Sequence, residues 1–232
     1  MKEQKRGLLF ENSLFANFPS RVIRPGGLRL TRQLLEYCTF EQGVKVVDIG
    51  CGAGITVQYL RDACHLCAIG IDLSEQLLQQ ARERVPDLPV LWASGENLPF
   101  PDNSFEGVIA ECSLSVMEDV NKVLAECGRI LISGGKLAIT DVYIRKEEGN
   151  DCLPGETGAM TYAQFKKIVE ENGFHIIVWE DQSIFLKEFV ACFIMEHGLA
   201  EELWQCVLTK ADDRKRLGYF LSVAEKRIKN EK

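Results

Sequence analysis

The sequence predicts an α/β fold, a largely parallel sheet with helices on both faces behind a helical N-terminal segment. Three features of the chain point to it. Short apolar runs alternate with stretches of helical spacing from about residue 44 to residue 145. A turn with three alternating glycines, Gly50, Gly52 and Gly54, joins the first such run to the first helical stretch after it. Acids stand where several of the runs end, at Asp48, Asp72 and Glu111. At 232 residues, 46% of them hydrophobic and 26% charged, the chain is long enough to bury a continuous core.

Residues 1–43 read as a helical cap. "RPGG" at Arg24 to Gly27 is a turn, and Leu28, Leu30, Leu34 and Leu35 follow at helical spacing. "VKVVDIG" is a buried strand, and Ile55 to Ala63 a helix. "LCAIGID" is a second strand. Ser74 caps a helix that carries Leu77, Leu78, Ala81 and Val85 on one face. "PVLWAS" is a third strand, "GENLPFPDNS" a loop and "FEGVIAE" a fourth strand. Val120, Val123, Leu124, Cys127 and Leu131 repeat at helical spacing, and "GGKLAITDVYI" is a fifth strand after a Gly-Gly turn. Strands alternating with helices imply right-handed crossovers and parallel pairing. "TYAQ" at Thr161 to Gln164 matches a capping box for a helix that ends at Gly173. "FHIIVWE" is a sixth strand, "IFLKEFVACFIMEHG" a helix too apolar to stand in water, and "LGYFLSVAEKR" a last strand. The whole chain, 1–232, is expected to be one domain: a cap over 1–43, a ligand-binding core over 44–145, and acceptor-side and C-terminal elements over 146–232.

The formal net charge is −7, which argues against a nucleic-acid partner, since phosphate binding is carried largely by Lys and Arg. The runs "KEQKR" and "KRIKNEK" read as solvated ends. No apolar run approaches membrane-spanning length, and Leu8 to Phe10 is too short for a signal-peptide core. Nine cysteines, an odd number, fit a reducing compartment better than a disulfide scaffold, so a cytoplasmic location is expected.

In an open parallel sheet, ligands sit beyond the carboxyl ends of the strands. Asp48, Asp72 and Glu111 end strands there, and Glu96 comes soon after the third strand. Like charges in a partly desolvated cleft repel, so a cluster of acids there asks for a cation. Asp72, about 20 residues after the glycine turn, suits a ribose diol. The turn is G-x-G-x-G followed by Ile55, so it lacks the third glycine of a dinucleotide fingerprint and the Gly-Lys-Ser/Thr ending of a phosphate loop. A carboxylate two residues ahead of the first glycine opposes a bound phosphate and suits an ammonium or sulfonium. A nucleoside with a ribose, a positive sulfur and an amino-acid tail is S-adenosylmethionine.

"VVDIGCGAG", "IGIDLS" and "ENLPFPDNSFEGVIAE", in that order and spacing, resemble the class I S-adenosylmethionine-dependent methyltransferases. The nearest branch is the small-molecule one that includes quinone-biosynthesis and arsenite methyltransferases. The resemblance covers residues 43 to 145 and implies a Rossmann-like seven-stranded sheet whose last strand is antiparallel. It further implies that Asp48, Gly50, Cys51, Gly52 and Gly54 wrap the methionine end of the cofactor. Asp72 would hold the ribose and Leu73 lie against the adenine. Ser94, Gly95, Glu96 and Asn97 would reach the adenine edge. Glu111 and Cys112 would flank the methionine end or open toward the acceptor. Many relatives have an aspartate where this chain has Ser94, so Glu96 or a backbone group would have to take over that contact.

Several residues carry a plainer alternative. "CHLC" at Cys64 to Cys67 reads as core and loop thiols rather than a metal site, which needs four ligands. Cys152, in "DCLPGETGAM", falls where arsenite methyltransferases carry a metalloid-binding cysteine, yet the matching first cysteine is missing near Val57. Phe10, Phe15 and Phe18 are equally a pocket lid or packing anchors, while His175 and His197 have structural explanations. The expected activity is methyl transfer from S-adenosylmethionine to a small-molecule acceptor. Glu111 is the candidate base and Cys152 the candidate metalloid ligand. The acceptor pocket is expected from residues 8–29, 112–117 and 143–160. The helix over 184–198 is expected to cover that pocket or form a homodimer contact. The rivals are a nicotinamide-dependent oxidoreductase and a non-catalytic protein that keeps the cofactor fold.

Overall fold

The computed structural model describes residues 24–145, 159–197 and 216–228. Helix α1 (Gly27–Cys38) comes first and strand β1 (Lys45–Ile49) follows it. Helix α2 (Ile55–Asp62), β2 (Cys67–Asp72), α3 (Glu75–Arg84) and β3 (Val90–Trp92) complete the first half. The second half runs β4 (Phe105–Glu111), a 3-10 turn (Leu114–Val116), α4 (Val120–Ile130) and β5 (Leu131–Ile144). After it come β6 (Met160–Thr161), α5 (Tyr162–Glu171), β7 (Phe174–Asp181), α6 (Ser183–His197) and β8 (Leu217–Lys226).

The strands lie in the order β3-β2-β1-β4-β5-β8-β7, with β6 paired to β5 off that path. All pairs are parallel except those of β8, which runs antiparallel to both neighbours. The chain order reverses between β1 and β4, so the ligand crevice of a doubly wound sheet opens at the carboxyl ends of those two strands.

Side-chain alternation sorts the core into two layers. Val46, Ile109, Ala138 and Val142 face α1, α2, α3 and the start of α6, through Leu30, Leu34, Val57, Leu60, Leu78 and Phe185. Val47, Ile49, Val108, Leu137 and Ile139 face α4 and α5, through Val123, Leu124, Cys127, Phe165 and Val169. Leu30 and Leu34 are wholly enclosed, so each anchors α1 by roughly 1.5–3 kcal/mol.

The capping signals act as read. The Ser74 hydroxyl accepts from Leu77 N at 3.2 Å. The Thr161–Gln164 box closes in both directions. Three expectations need correction. The sheet gains an eighth strand, the two-residue β6, too short to show a period. Strand β5 starts at Leu131, directly after α4, because Gly134 takes φ +78° inside the strand and the β4 pairing slips there instead of turning. Helix α6 forms but buries only part of its apolar surface: Phe185 and Phe193 are enclosed, whereas Ile184, Ile194 and Met195 stand in solvent. No described helix is long and apolar enough to cross a membrane.

Candidate active site

The glycine turn folds as its composition demands. Gly50, Gly52 and Gly54 have φ of +75°, +52° and +72°, in the left-handed region open to glycine. A Cβ on Gly50 would stand 2.5 Å from the Ser113 Cβ, whereas one on Gly52 would meet nothing nearer than 3.8 Å. The Gly52 backbone is therefore the open part of the turn.

Asp72, at the end of β2, faces this turn. Its Oδ2 accepts from Gly52 N at 2.7 Å and its Oδ1 from Ser74 N at 2.9 Å. One carboxylate thus orders the turn and the start of α3. Leu73, the next residue, is 58% exposed, an apolar side chain held out beside the turn.

Asp48 and Glu111 lie on one face of the sheet, on neighbouring strands, because Asp48 stands opposite Ile109 and Glu111 is two residues further along β4. Their surroundings differ sharply. Glu111 is engaged on all sides: Arg24 Nη2 donates to Oε2 at 2.6 Å, the Thr31 hydroxyl lies 3.0 Å from Oε1, and the Thr56 hydroxyl 3.3 Å from Oε2. Burial raises the Glu111 pKa, against the pull of Arg24 and the two hydroxyls. Asp48 is 3% exposed, and its side chain makes no hydrogen bond among the described residues. Burial, then Glu111 and Asp72, push its pKa up to about 8, with Arg24 opposing. An acid in that state is the group a cationic ligand would relieve.

The remaining predicted residues fall around this centre. Gly95 is buried against Ile49 and Met117. The Ser94 hydroxyl accepts from Glu96 N at 3.1 Å, a local turn, while Asn97 is exposed. Glu96 Oε1 accepts from Asp119 N at 2.8 Å, so that oxygen fastens the loop to the start of α4 instead of replacing the absent aspartate. Cys51 tucks its thiol over Gly70, and burial among Asp48 and Asp72 raises its pKa well above the thiol range. Cys112 adopts φ +56°, its N–H donating to Thr140 O at 2.6 Å, and burial pushes its thiol up to about 12. Cys152, Phe10, Phe15 and Phe18 lie outside the described residues.

One expectation is corrected here: Glu111 is not placed as a general base, because its carboxylate is committed to Arg24, Thr31 and Thr56. Sequence reasoning also missed Arg24, Thr31 and Thr56. The available signal was Thr31, a polar residue on the same helical stripe as Leu34 and Leu35, which the fold buries completely. It missed Asp141 as well, which takes the Ser115 N–H and hydroxyl at 2.9 and 2.7 Å and so shapes the loop after β4.

Comparison with known proteins decides the family. Residues 47–139 match a model described as a methyltransferase domain. An O-methyltransferase of Aspergillus nomiae, rstn1, is 31% identical over 170 residues, covering 66% of this chain and 74% of that protein. The chain belongs to the class I S-adenosylmethionine-dependent methyltransferases. A methyltransferase of Streptomyces halstedii, GfsG, is 34% identical over 135 residues, and the match spans 55% of this chain and about half of that protein, 49%. Among solved structures, the [4+2]-cyclase SpnF superposes with a TM-score of 0.69 at 28% identity, covering 86% of this chain and 80% of that one.

The site of this methyltransferase fits its cofactor by its own chemistry. A nearly enclosed carboxylate without a hydrogen bond from the described residues, Asp48, suits an ammonium or sulfonium. An open glycine backbone at Gly52 allows close approach. An acid at the end of β2 that faces the glycine turn, followed by an exposed leucine, suits a ribose and a flat base. Among the described residues no group of metal-ligating side chains offers a competing centre.

Proposed function

We propose that this chain transfers a methyl group from S-adenosylmethionine to a small-molecule acceptor and releases S-adenosylhomocysteine. The observation that carries the reading is Asp48, an enclosed carboxylate with no hydrogen bond among the described residues, two residues ahead of the glycine turn. A cationic nucleoside would draw the proton off this acid and pair with the carboxylate, a gain that a phosphate-bearing ligand does not offer.

In this reading Asp48 faces the ammonium and sulfonium end, and the Gly50–Gly54 backbone lines the methionine tail. Asp72 takes the ribose diol, Leu73 packs on the adenine, and the segment Ser94–Asn97 borders its edge. The bound cofactor supplies an electrophilic methyl on a positive sulfur. Arg24 and Glu111 fasten α1 over the crevice, so the cap excludes water from one side of the reacting centre. Holding donor and acceptor in line can supply ~7–11 kcal/mol, so no covalent nucleophile is required of the protein. With Glu111 committed to Arg24, an acceptor hydroxyl or thiol has to arrive ionised or find its base elsewhere. The net charge of −7 favours a small molecule over a nucleic acid. An arsenite or thiol acceptor, using Cys152, is the narrower form of the reading.

The second reading is a protein that keeps the cofactor fold without methyl transfer. The likeness to a cyclase at 28% identity favours it, since the fold there bears a different activity in its name. Turnover separates the two. S-adenosylhomocysteine release is measured over a panel of phenols, quinols, amines, thiols, carboxylic acids and arsenite. Release with at least one acceptor supports methyl transfer. Tight cofactor binding with no release across the panel supports the second reading.

A further inference from the structure

Strands β5 and β8 pair antiparallel from Lys136↔Glu225 to Ile144↔Leu217. The next step of that ladder brings Arg145 opposite Arg216, and Arg145 N donates to Arg216 O at 2.7 Å. Two like charges directly across a strand pair destabilise it. Their neighbourhood does not cancel them equally. Arg145 Nη2 donates to Leu217 O at 3.1 Å, and Arg145 lies near enough to Asp181 to help hold that carboxyl below its usual range. Asp181 itself accepts from Ser183 N and the Tyr143 hydroxyl, both at 2.7 Å. Among the described residues Arg216 has no such neighbour: its Nε and Nη2 are buried and make no hydrogen bond. A guanidinium with two enclosed, unsatisfied donors beside a second cation is a fork lacking its anion.

In the methyltransferase reading, the position belongs to the acceptor side of the crevice. Glu111 stands opposite Thr140 on β5, and Arg145 lies five residues further along. At ~3.3 Å per residue, the arginines stand about 16 Å beyond Glu111 along the strand, on the side away from β1 and β2. We propose that Arg216, with Arg145, binds the anionic end of the methyl acceptor, so that the acceptor is a small molecule bearing a carboxylate or a phosphate. The inference rests on the methyltransferase reading, because that reading makes this side of the crevice the acceptor side. The fork geometry accepts either anion in a bidentate manner, whereas a neutral acceptor leaves the two charges uncompensated.

The test uses the full chain, with inorganic phosphate and succinate as probes at constant ionic strength and chloride as control. Binding is monitored by calorimetry and by the thermal midpoint, in the wild type and in Arg216→Gln, with S-adenosylhomocysteine titrated into both. The expected result is that phosphate or succinate binds the wild type beyond the chloride control. Arg216→Gln should weaken that binding at least tenfold while leaving S-adenosylhomocysteine affinity within twofold. The stronger of the two probes assigns the head group. Equal anion binding by wild type and variant, or none beyond chloride, overturns the proposal while leaving the methyltransferase reading intact. Failure of the wild type to bind S-adenosylhomocysteine overturns that reading and the proposal with it. If Arg216→Gln does not fold, Arg216→Lys keeps the charge and loses the fork. Weaker anion binding with the nucleoside affinity retained then supports the site, and unchanged anion binding overturns it.

Discussion

Arg24 donates to Glu111 at 2.6 Å, joining the turn before α1 to the end of β4 across 87 residues of sequence. Both side chains are nearly enclosed, at 11% and 2% exposure, and two threonine hydroxyls share the carboxylate. The pair is therefore a clasp between the cap and the sheet edge that carries the site.

Breaking one side of the clasp leaves a buried charge. Arg24→Met should destabilise the protein by ~3–5 kcal/mol, because Glu111 is then left uncompensated. The double variant Arg24→Met, Glu111→Met should recover most of that loss. Urea denaturation of the two variants and the wild type checks this. A loss below about 1 kcal/mol for the single variant would show that the pair is not enclosed in solution.

Asp48 gives the stability a pH dependence of known sign. Its pKa is raised in the fold, from 3.8 to about 8, so the folded state holds a proton that the unfolded chain has released. Stability from this group is present in full below pH 4 and falls as pH rises toward 8. Asp48→Asn removes the ionisable group and should leave the ligand-free protein more stable than wild type at pH 8 by at least ~1 kcal/mol. The advantage should shrink as pH falls toward 5. The same variant should bind S-adenosylmethionine at least tenfold more weakly, which separates a ligand-facing acid from a merely awkward one. Denaturation at pH 5.5 and pH 8, with a titration at each, supplies both readings.

Gly50 and Gly52 should answer differently to alanine. Gly50→Ala combines φ +75° with a Cβ 2.5 Å from Ser113, so loss of ~2 kcal/mol or more is expected. Gly52→Ala has room around its Cβ and should lose about 1 kcal/mol from backbone strain alone. Its methyl projects where the cofactor backbone contact is proposed, so its affinity for S-adenosylhomocysteine should fall more than its stability. Parallel melting curves and titrations decide between them.

Thiol labelling reads the burial of the cysteines directly. Cys67 and Cys192 are exposed and should react with iodoacetamide within minutes at pH 7.5. Cys38 and Cys127, each pushed up to about 12 by burial, should stay unlabelled until the protein unfolds. Mass spectrometry of timed digests shows the order, and early labelling of Cys38 or Cys127 would mean that the core around it opens.

The sheet was legible because its signals are local. A run such as Phe105–Glu111 is apolar, bounded by turn residues and too short to be a helix, and it appears as read. Ser74 and Thr161 announce their helices within four residues. The glycine turn was legible because three left-handed positions select glycine by sterics alone. The Arg24 clasp and the Arg145–Arg216 apposition were not legible, because each depends on segments brought together from 87 and 71 residues apart. Nothing local to "RPGG" tells that its arginine ends at Glu111. The same limit led to the base assignment for Glu111, an acid at the right strand end whose partner comes from a distant helix turn.

If the acid-lined crevice is built for a cationic nucleoside, its choice of ligand should say so. The decisive experiment is a calorimetric titration of the full chain with S-adenosylmethionine, S-adenosylhomocysteine and NADH, with Asp72→Ala as control. Micromolar one-to-one binding of the first two is expected, with no heat from NADH and loss of binding in the variant. Binding of NADH with silence from both adenosyl ligands would refute the assignment of the crevice.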